Sequence, residues 1–154
     1  MYSRVLVALE HSPYDHHIIE HVRGLAGALG SKLLFIHVAD GWVARNFRQL
    51  DLRESEEMQQ DRSYLETVCE RLSAQGIECD AVLACGDPAK EITEAADREG
   101  CDLIAMATHG HKFINDVVRG SVANEVRHMS MVPVLLVRAP RPLRVSDESA
   151  AAGR

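Results

Sequence analysis

The chain has 154 residues, enough for one domain with its own core and too few for two of ordinary size. Hydrophobic residues make up 46% and charged residues 26%, a balance that excludes global disorder. Asp and Glu outnumber Lys and Arg by 23 to 17, and the net charge of −6 argues against a phosphate-backbone binder of nucleic acid while leaving room for one nucleotide held by local N–H groups.

Five short apolar runs alternate with helical patterns. The first strand is expected at Arg4–Leu9. Ser12-Pro13-Tyr14-Asp15 then starts a helix: Ser12 is a capping residue, Pro13 suits the first helical position and Asp15 adds negative charge to the first turn. Ile18, Ile19, Val22, Leu25, Ala26 and Leu29 recur at helical spacing, and Gly30 is the expected stop. A second strand is expected at Leu33–Val38. The long connection 39–53, with Trp42 and Phe47, has the length of a lid or interface segment or of a plain mobile loop. A second helix runs from about Arg53 to Gly76, followed by a third strand at Cys79–Ala84 whose alternation suits an outer position. Asp87-Pro88 opens a third helix that stops before Gly100. A fourth strand is expected at Asp102–Ala107, a fourth helix after Gly120-Ser121, and a fifth strand at Pro133–Val137.

Strands one, two, four and five are almost continuously apolar, as strands buried on both faces of a parallel sheet are. The β-α-β-α-β-α-β-α-β order therefore predicts an α/β fold, a five-stranded parallel open sheet with helices on both faces. From Ala139 onward the chain has two prolines, many small and charged residues and little to bury, so residues 139–154 read as a disordered tail behind a domain of 1–138. No apolar run reaches about 18 residues, so no membrane partner is expected, and the N-terminus lacks an export pattern, so the expected location is the cytoplasm. Cys69, Cys79, Cys85 and Cys101 form no C-x-x-C pair and are expected as free thiols acting as small hydrophobes.

Ligands of open α/β sheets bind outside the carboxyl ends of the strands. Three ends matter: Ala8-Leu9-Glu10, Val38, and Met106-Ala107-Thr108-His109-Gly110. The last continues to Gly120-Ser121, where a helix N-terminus would offer a hydroxyl, backbone N–H groups and a positive dipole end. This is an anion cradle, and it is neither G-x-x-x-x-G-K-[ST] nor G-x-G-x-x-G.

The stretch from Ala107 through Gly110 to Gly120-Ser121, with Val132-Pro-Val-Leu-Leu-Val-Arg138 after it, resembles the universal stress protein family over about residues 2–138. Nucleotide-binding members carry G-x2-G-x9-G-[ST], and the spacing from Gly110 to Gly120-Ser121 is intact here. Ala107 replaces the first glycine, and Glu10 replaces the usual Asp. The resemblance implies an adenine nucleotide alpha hydrolase-like, Rossmann-like three-layer sandwich. It implies ATP or AMP, with or without Mg2+, as the ligand of a regulatory module in the stress response. Ala8, Glu10 and Val38 would surround the adenosine, and Met106, Ala107, Gly110, His111, Gly120, Ser121 and Val122 would hold ribose and phosphates. The alternative is a nucleotide-free dimeric interaction protein of the same fold.

Eight histidines are present, and His11, His16, His17, His109 and His111 could gather near one another, while His17 and His21 stand at i, i+4; no metal signature completes either set, so no metal is expected. No nucleophile–base pair or metal-holding carboxylate is evident, so a binding module is favoured over an enzyme, with slow incidental ATP hydrolysis left open. The apolar fifth strand should lie at a sheet edge, and an apolar edge invites pairing with a second copy, so a homodimer through residues 133–137 is expected, in keeping with the resemblance.

Overall fold

The computed structural model describes residues 1–39, 56–108 and 117–139, with 117–121 as backbone only. Strands β1 (Arg4–Ala8), β2 (Lys32–Ala39), β3 (Cys79–Cys85), β4 (Leu103–Thr108) and β5 (Val134–Arg138) alternate with helices α1 (Asp15–Leu29), α2 (Glu56–Ser73), α3 (Pro88–Arg98) and α4 (Val117–Met129). The strands form one parallel sheet in the order β3-β2-β1-β4-β5. The alternating third run and the apolar fifth run are the two edges, as their patterns predict.

Strand periodicity sorts the core into two layers. Val5, Val7, Leu33, Phe35, Leu103 and Ala105 face α1 and α2, where Ile18, Ile19, Val22, Leu65, Val68 and Leu72 meet them. Leu6, Leu34, Ile36, Ile104 and Met106 point the other way, onto Ile92, Ala95, Ala96, Ala123 and Val126 of α3 and α4. The result is a three-layer sandwich whose central strand, β1, has no exposed face.

The helix ends follow the sequence signals in part. Gly30 adopts φ +69° and its N–H donates to the Ala26 carbonyl, the glycine stop expected of α1. Asp87 caps α3 by accepting from the Lys90 N–H, with Pro88 in the first helical position. Two starts differ from expectation. Ser12 Oγ accepts from the Tyr14 N–H at 3.3 Å, but this turn only leads into α1, which begins at Asp15. Helix α4 begins at Val117, so Gly120 and Ser121 lie in the helix instead of ahead of it. Their N–H groups are past the first turn, where the unpaired donors of a helix end. Ala139, the first residue after β5, is buried and its N–H donates to the Thr108 carbonyl. Residues 140–154, and the connection 40–55 with Trp42 and Phe47, lie outside the described residues.

Chain order and sheet order together create a switch point. After β1 the chain builds β2 and β3 on one side, then crosses back to build β4 and β5 on the other. Helix α1 after β1 and helix α4 after β4 pack on opposite faces of the sheet, and the strand ends between them border a crevice.

Candidate functional site

The crevice is a cleft of about 500 Å³ at the carboxyl ends of β1, β2 and β4. Its position follows from register: Ala8 lies opposite Ile36 on one side and Met106 on the other, so the ends of three strands come level. Six of the ten residues singled out in the sequence line it: Ala8, Glu10, Val38, Met106, Ala107 and Val122. Gly110 and His111 lie outside the described residues, and Gly120 and Ser121 are placed only as backbone of α4.

The cleft has two kinds of wall. The sheet and α4 supply the apolar one, through Ala8, Ile36, Val38, Met106, Ala107 and Val122. The β1–α1 connection, β2 and α2 supply the polar one, through Glu10, His11, His37, Glu57, Gln60 and Asp61. Most of the polar wall was not anticipated. The readable signal was Asp61 itself: Met58, Asp61, Leu65, Val68 and Leu72 form the buried stripe of α2, and a carboxylate in such a stripe needs partners. His37 follows Leu33 and Phe35 at strand period, which turns it toward α2.

The partners of Asp61 come from two other elements. One oxygen, Oδ1, lies 2.5 Å from His11 Nδ1, and Oδ2 lies 3.4 Å from His37 Nε2. His37 Nδ1 is 2.8 Å from the Leu9 carbonyl oxygen. A second buried carboxylate, Asp15, organises the connection after β1. Its Oδ1 accepts from the Glu10 N–H and its Oδ2 from the Ser12 N–H and the Tyr64 hydroxyl, at 3.0, 3.3 and 2.7 Å. Asp15 thus holds a loop in shape as well as standing in the first turn of α1. His11 has φ +57°, an uncommon conformation for a residue with a side chain, and its ring stacks on Tyr64 at 4.2 Å. Burial, and then the hydrogen bond to Asp15, push the Tyr64 hydroxyl well above the ordinary tyrosine range, so it stays a donor.

Other histidines group differently from expectation. His16 and His17 contact each other on α1, with ring centres 5.7 Å apart, while the ring neighbours of His11 are His37 and Tyr64. His109 and His111 lie outside the described residues. Among the described residues no three His, Cys, Asp or Glu side chains are placed to hold a metal, and no helix is long and apolar enough to cross a membrane. The four cysteines are free. A larger depression, about 740 Å³, runs along the outer side of α2 from His11 to Thr67, but it is shallow and touches no strand end.

Residues 1–138 match the model of the universal stress protein family. The universal stress protein YxiE of Bacillus subtilis is 26% identical over 150 residues, covering 90% of this chain and all of that one. The fold is shared with a universal stress protein from Archaeoglobus fulgidus solved with dAMP, at TM-score 0.66 and 18% identity over 88% of this chain and 98% of that one. It is shared equally with a universal stress protein solved in complex with cAMP, at TM-score 0.67 and 21% identity over 90% and 98%.

Proposed function

The chain belongs to the universal stress protein family, and from that premise we propose that it is a regulatory module that binds an adenine nucleotide, ATP or AMP, in the cleft at the carboxyl ends of β1, β2 and β4. The observation that carries the proposal is the convergence of Ala8, Glu10, Val38, Met106, Ala107 and Val122 on one cleft. Its volume falls within the range of about 300–1,000 Å³ usual for small-ligand sites. Relatives of the same fold solved with dAMP and cAMP make an adenine nucleotide the ligand class to try first.

In this reading the apolar wall packs against the base. Glu10 accepts from donor groups of the adenosine, and the segment from Ala107 through Gly110 and His111 to Gly120-Ser121 meets ribose and phosphates. Mg2+ would enter with the phosphates of ATP. Ala107 adds one methyl group to a position where relatives of the nucleotide-binding pattern have glycine, which is tolerable on the extended backbone of β4. In this reading the module serves by binding, and any slow hydrolysis of ATP is incidental.

Calorimetry with ATP and Mg2+ tests the site. Binding is expected for the unmutated chain, with Val122→Trp abolishing it by filling the cleft from α4. No heat at millimolar ATP sinks the proposal.

We further propose that the module is a homodimer through β5. This strand is an edge, Leu136 is 42% exposed on it, and Met129 and Met131 are exposed nearby at 50% and 90%. Antiparallel self-pairing about a two-fold axis would cover all three. Light scattering should give twice the 17.0 kDa chain mass, and a single chain's mass at high micromolar concentration would remove the dimer.

A further inference from the structure

His11 is held on two sides. Its ring stacks on Tyr64 with an interplanar angle of 12°, and Nδ1 meets Asp61 Oδ1 at 2.5 Å. An ionised carboxylate only accepts, so the proton of that bond belongs to His11 Nδ1. The same reasoning applies to His37. Its Nδ1 faces the Leu9 carbonyl oxygen at 2.8 Å, so Nδ1 donates there. When that ring is neutral, Nε2 turns a lone pair toward Asp61 Oδ2. Two acceptors do not bond, and the separation of 3.4 Å lies beyond ordinary hydrogen-bond length. The firm tie of Asp61 is therefore to His11 alone, with His37 packed behind it.

One polar atom of the neutral His11 ring is left, Nε2, and it is an acceptor. The side chain is 37% exposed and lines the cleft as well as the shallow depression along α2, so an occupant of the cleft lies beside the ring. The Tyr64 hydroxyl does not compete for Nε2, being bound to Asp15 at 2.7 Å. Glu10 and Glu57 on the same wall also offer only acceptors when ionised. Gln60 on the same wall carries both kinds of group, so the wall is richer in acceptors than in donors.

We propose that Asp61 is a positioning residue that locks His11 in its Nδ1–H form, making His11 Nε2 a fixed acceptor for a hydrogen-bond donor of the bound nucleotide, a sugar hydroxyl or the exocyclic amine of the base. The inference rests on the reading of the cleft as an adenine-nucleotide site. It adds to that reading a residue, His11, that the nucleotide-binding pattern does not contain, and a second, Asp61, that acts through it.

Three probes separate the sources of the donor: AMP, 2′,3′-dideoxy-AMP, which lacks both sugar hydroxyls, and inosine monophosphate, which lacks the amine. Calorimetry would be run in alkaline buffer, where imidazole rings are neutral. His11→Phe keeps a ring on Tyr64 and removes both nitrogens. It should weaken AMP by about tenfold, the worth of one hydrogen bond. The loss should vanish for dideoxy-AMP if the donor is a hydroxyl, and for inosine monophosphate if it is the amine. Asp61→Asn still offers an oxygen to His11 Nδ1–H and can donate its amide to His37 Nε2, so affinity should survive. Asp61→Ala should match His11→Phe. Nitrogen-15 spectra of the imidazoles give an independent readout: the unmutated chain and Asp61→Asn should show His11 protonated at Nδ1 only, and Asp61→Ala should lose that signature. A His11 protonated at Nε2 in the unmutated chain overturns the proposal. So does an His11→Phe variant that binds all three nucleotides as the unmutated chain does. If the unmutated chain binds none of them, the nucleotide reading itself falls and takes the donor with it.

Discussion

On one face of the sheet, α3 and α4 cover Leu6, Leu34, Ile36, Ile104 and Met106 with small apolar residues, Ala89, Ala95, Ala96 and Ala123 among them. The buried hydroxyl on this side, Thr93, is satisfied by carbonyls of its own helix at 2.9 and 3.0 Å. On the other face, α1 and α2 cover an equally apolar set of strand residues but also bury Asp15 and Asp61, at 1% and 6% exposure. Each buried carboxylate reaches a different element: Asp61 ties α2 to the β1–α1 connection through His11, with His37 of β2 packed behind it, and Asp15 ties that connection to Tyr64 of α2. Charged groups are expensive to desolvate, and hydrophobic replacements of such networks are often neutral or stabilising. Among the described residues these buried carboxylates stand on one face only, at the end where the cleft opens, so that face supplies the polar wall of the site while the α3/α4 layer supplies the apolar one through Ile36, Met106 and Val122.

The comparison can be broken by substitutions matched across the sheet. Leu6→Ala on the α3/α4 side removes a fully buried side chain from a well-packed layer, and a loss of about 2–5 kcal/mol is expected from the transfer and cavity contributions together. Tyr64→Phe on the α1/α2 side keeps the ring that stacks on His11 and deletes one hydroxyl. Its expected cost is about 1–2 kcal/mol, since Asp15 keeps its bonds to the Glu10 and Ser12 N–H groups. If the division of labour holds, nucleotide affinity responds in the opposite order: Leu6→Ala leaves it unchanged in the folded protein, and Tyr64→Phe weakens it by loosening the connection that carries Glu10 and His11. Urea denaturation and calorimetry on both variants decide it. Equal effects on affinity would mean that the two faces are not distinct in role.

The apolar face was almost fully legible in the sequence and the polar face was not. Continuous runs such as Leu33–Ile36 and Ile104–Met106 specify strands buried on both sides, and the run at Cys79, with Asp80 in it, specifies an edge; these are properties of single segments. Caps at Asp87 and Gly30 are local in the same sense. Within the site, Ala8, Val38 and Met106 could be placed because strand ends in a parallel sheet come level. The tie between Asp61 and His11 joins residues 50 apart, and depends on how far α2 slides along the sheet before it docks. Periodicity shows that Asp61 faces inward but does not identify which histidine it meets. The start of α4 differs for another reason: Gly120-Ser121 reads as a helix opening in isolation, and the helix already runs from Val117.

The smallest expected effect sharpens the comparison through the thiols. Cys69 of α2 and Cys79 of β3 both pack at the margin of the α1/α2 layer. Burial, reinforced by their mutual proximity and by Asp80, pushes Cys69 up to about 12, and burial with Asp80 and Glu78 pushes Cys79 up to about 11. Cys101, in the α3/α4 layer, is raised by burial too, but the Arg4 guanidinium beside it pulls the other way. A raised value means that the folded chain holds its proton more tightly than the unfolded chain does. The two thiols of the α1/α2 side therefore contribute stability that is complete below the ordinary thiol value of 9.0 and is lost as pH rises from there through about 11 to 12. Urea midpoints measured across that window should fall with pH, and Cys69→Ala combined with Cys79→Ala should flatten the fall. Cys101→Ala should flatten it less, because Arg4 offsets part of the burial. At neutral pH the same protonation makes Cys69 and Cys79 slow to alkylate compared with a free thiol, since the thiolate is the reactive form. A double variant whose midpoints decline as steeply as those of the unmutated chain would show that these thiols ionise alike in the folded and unfolded states.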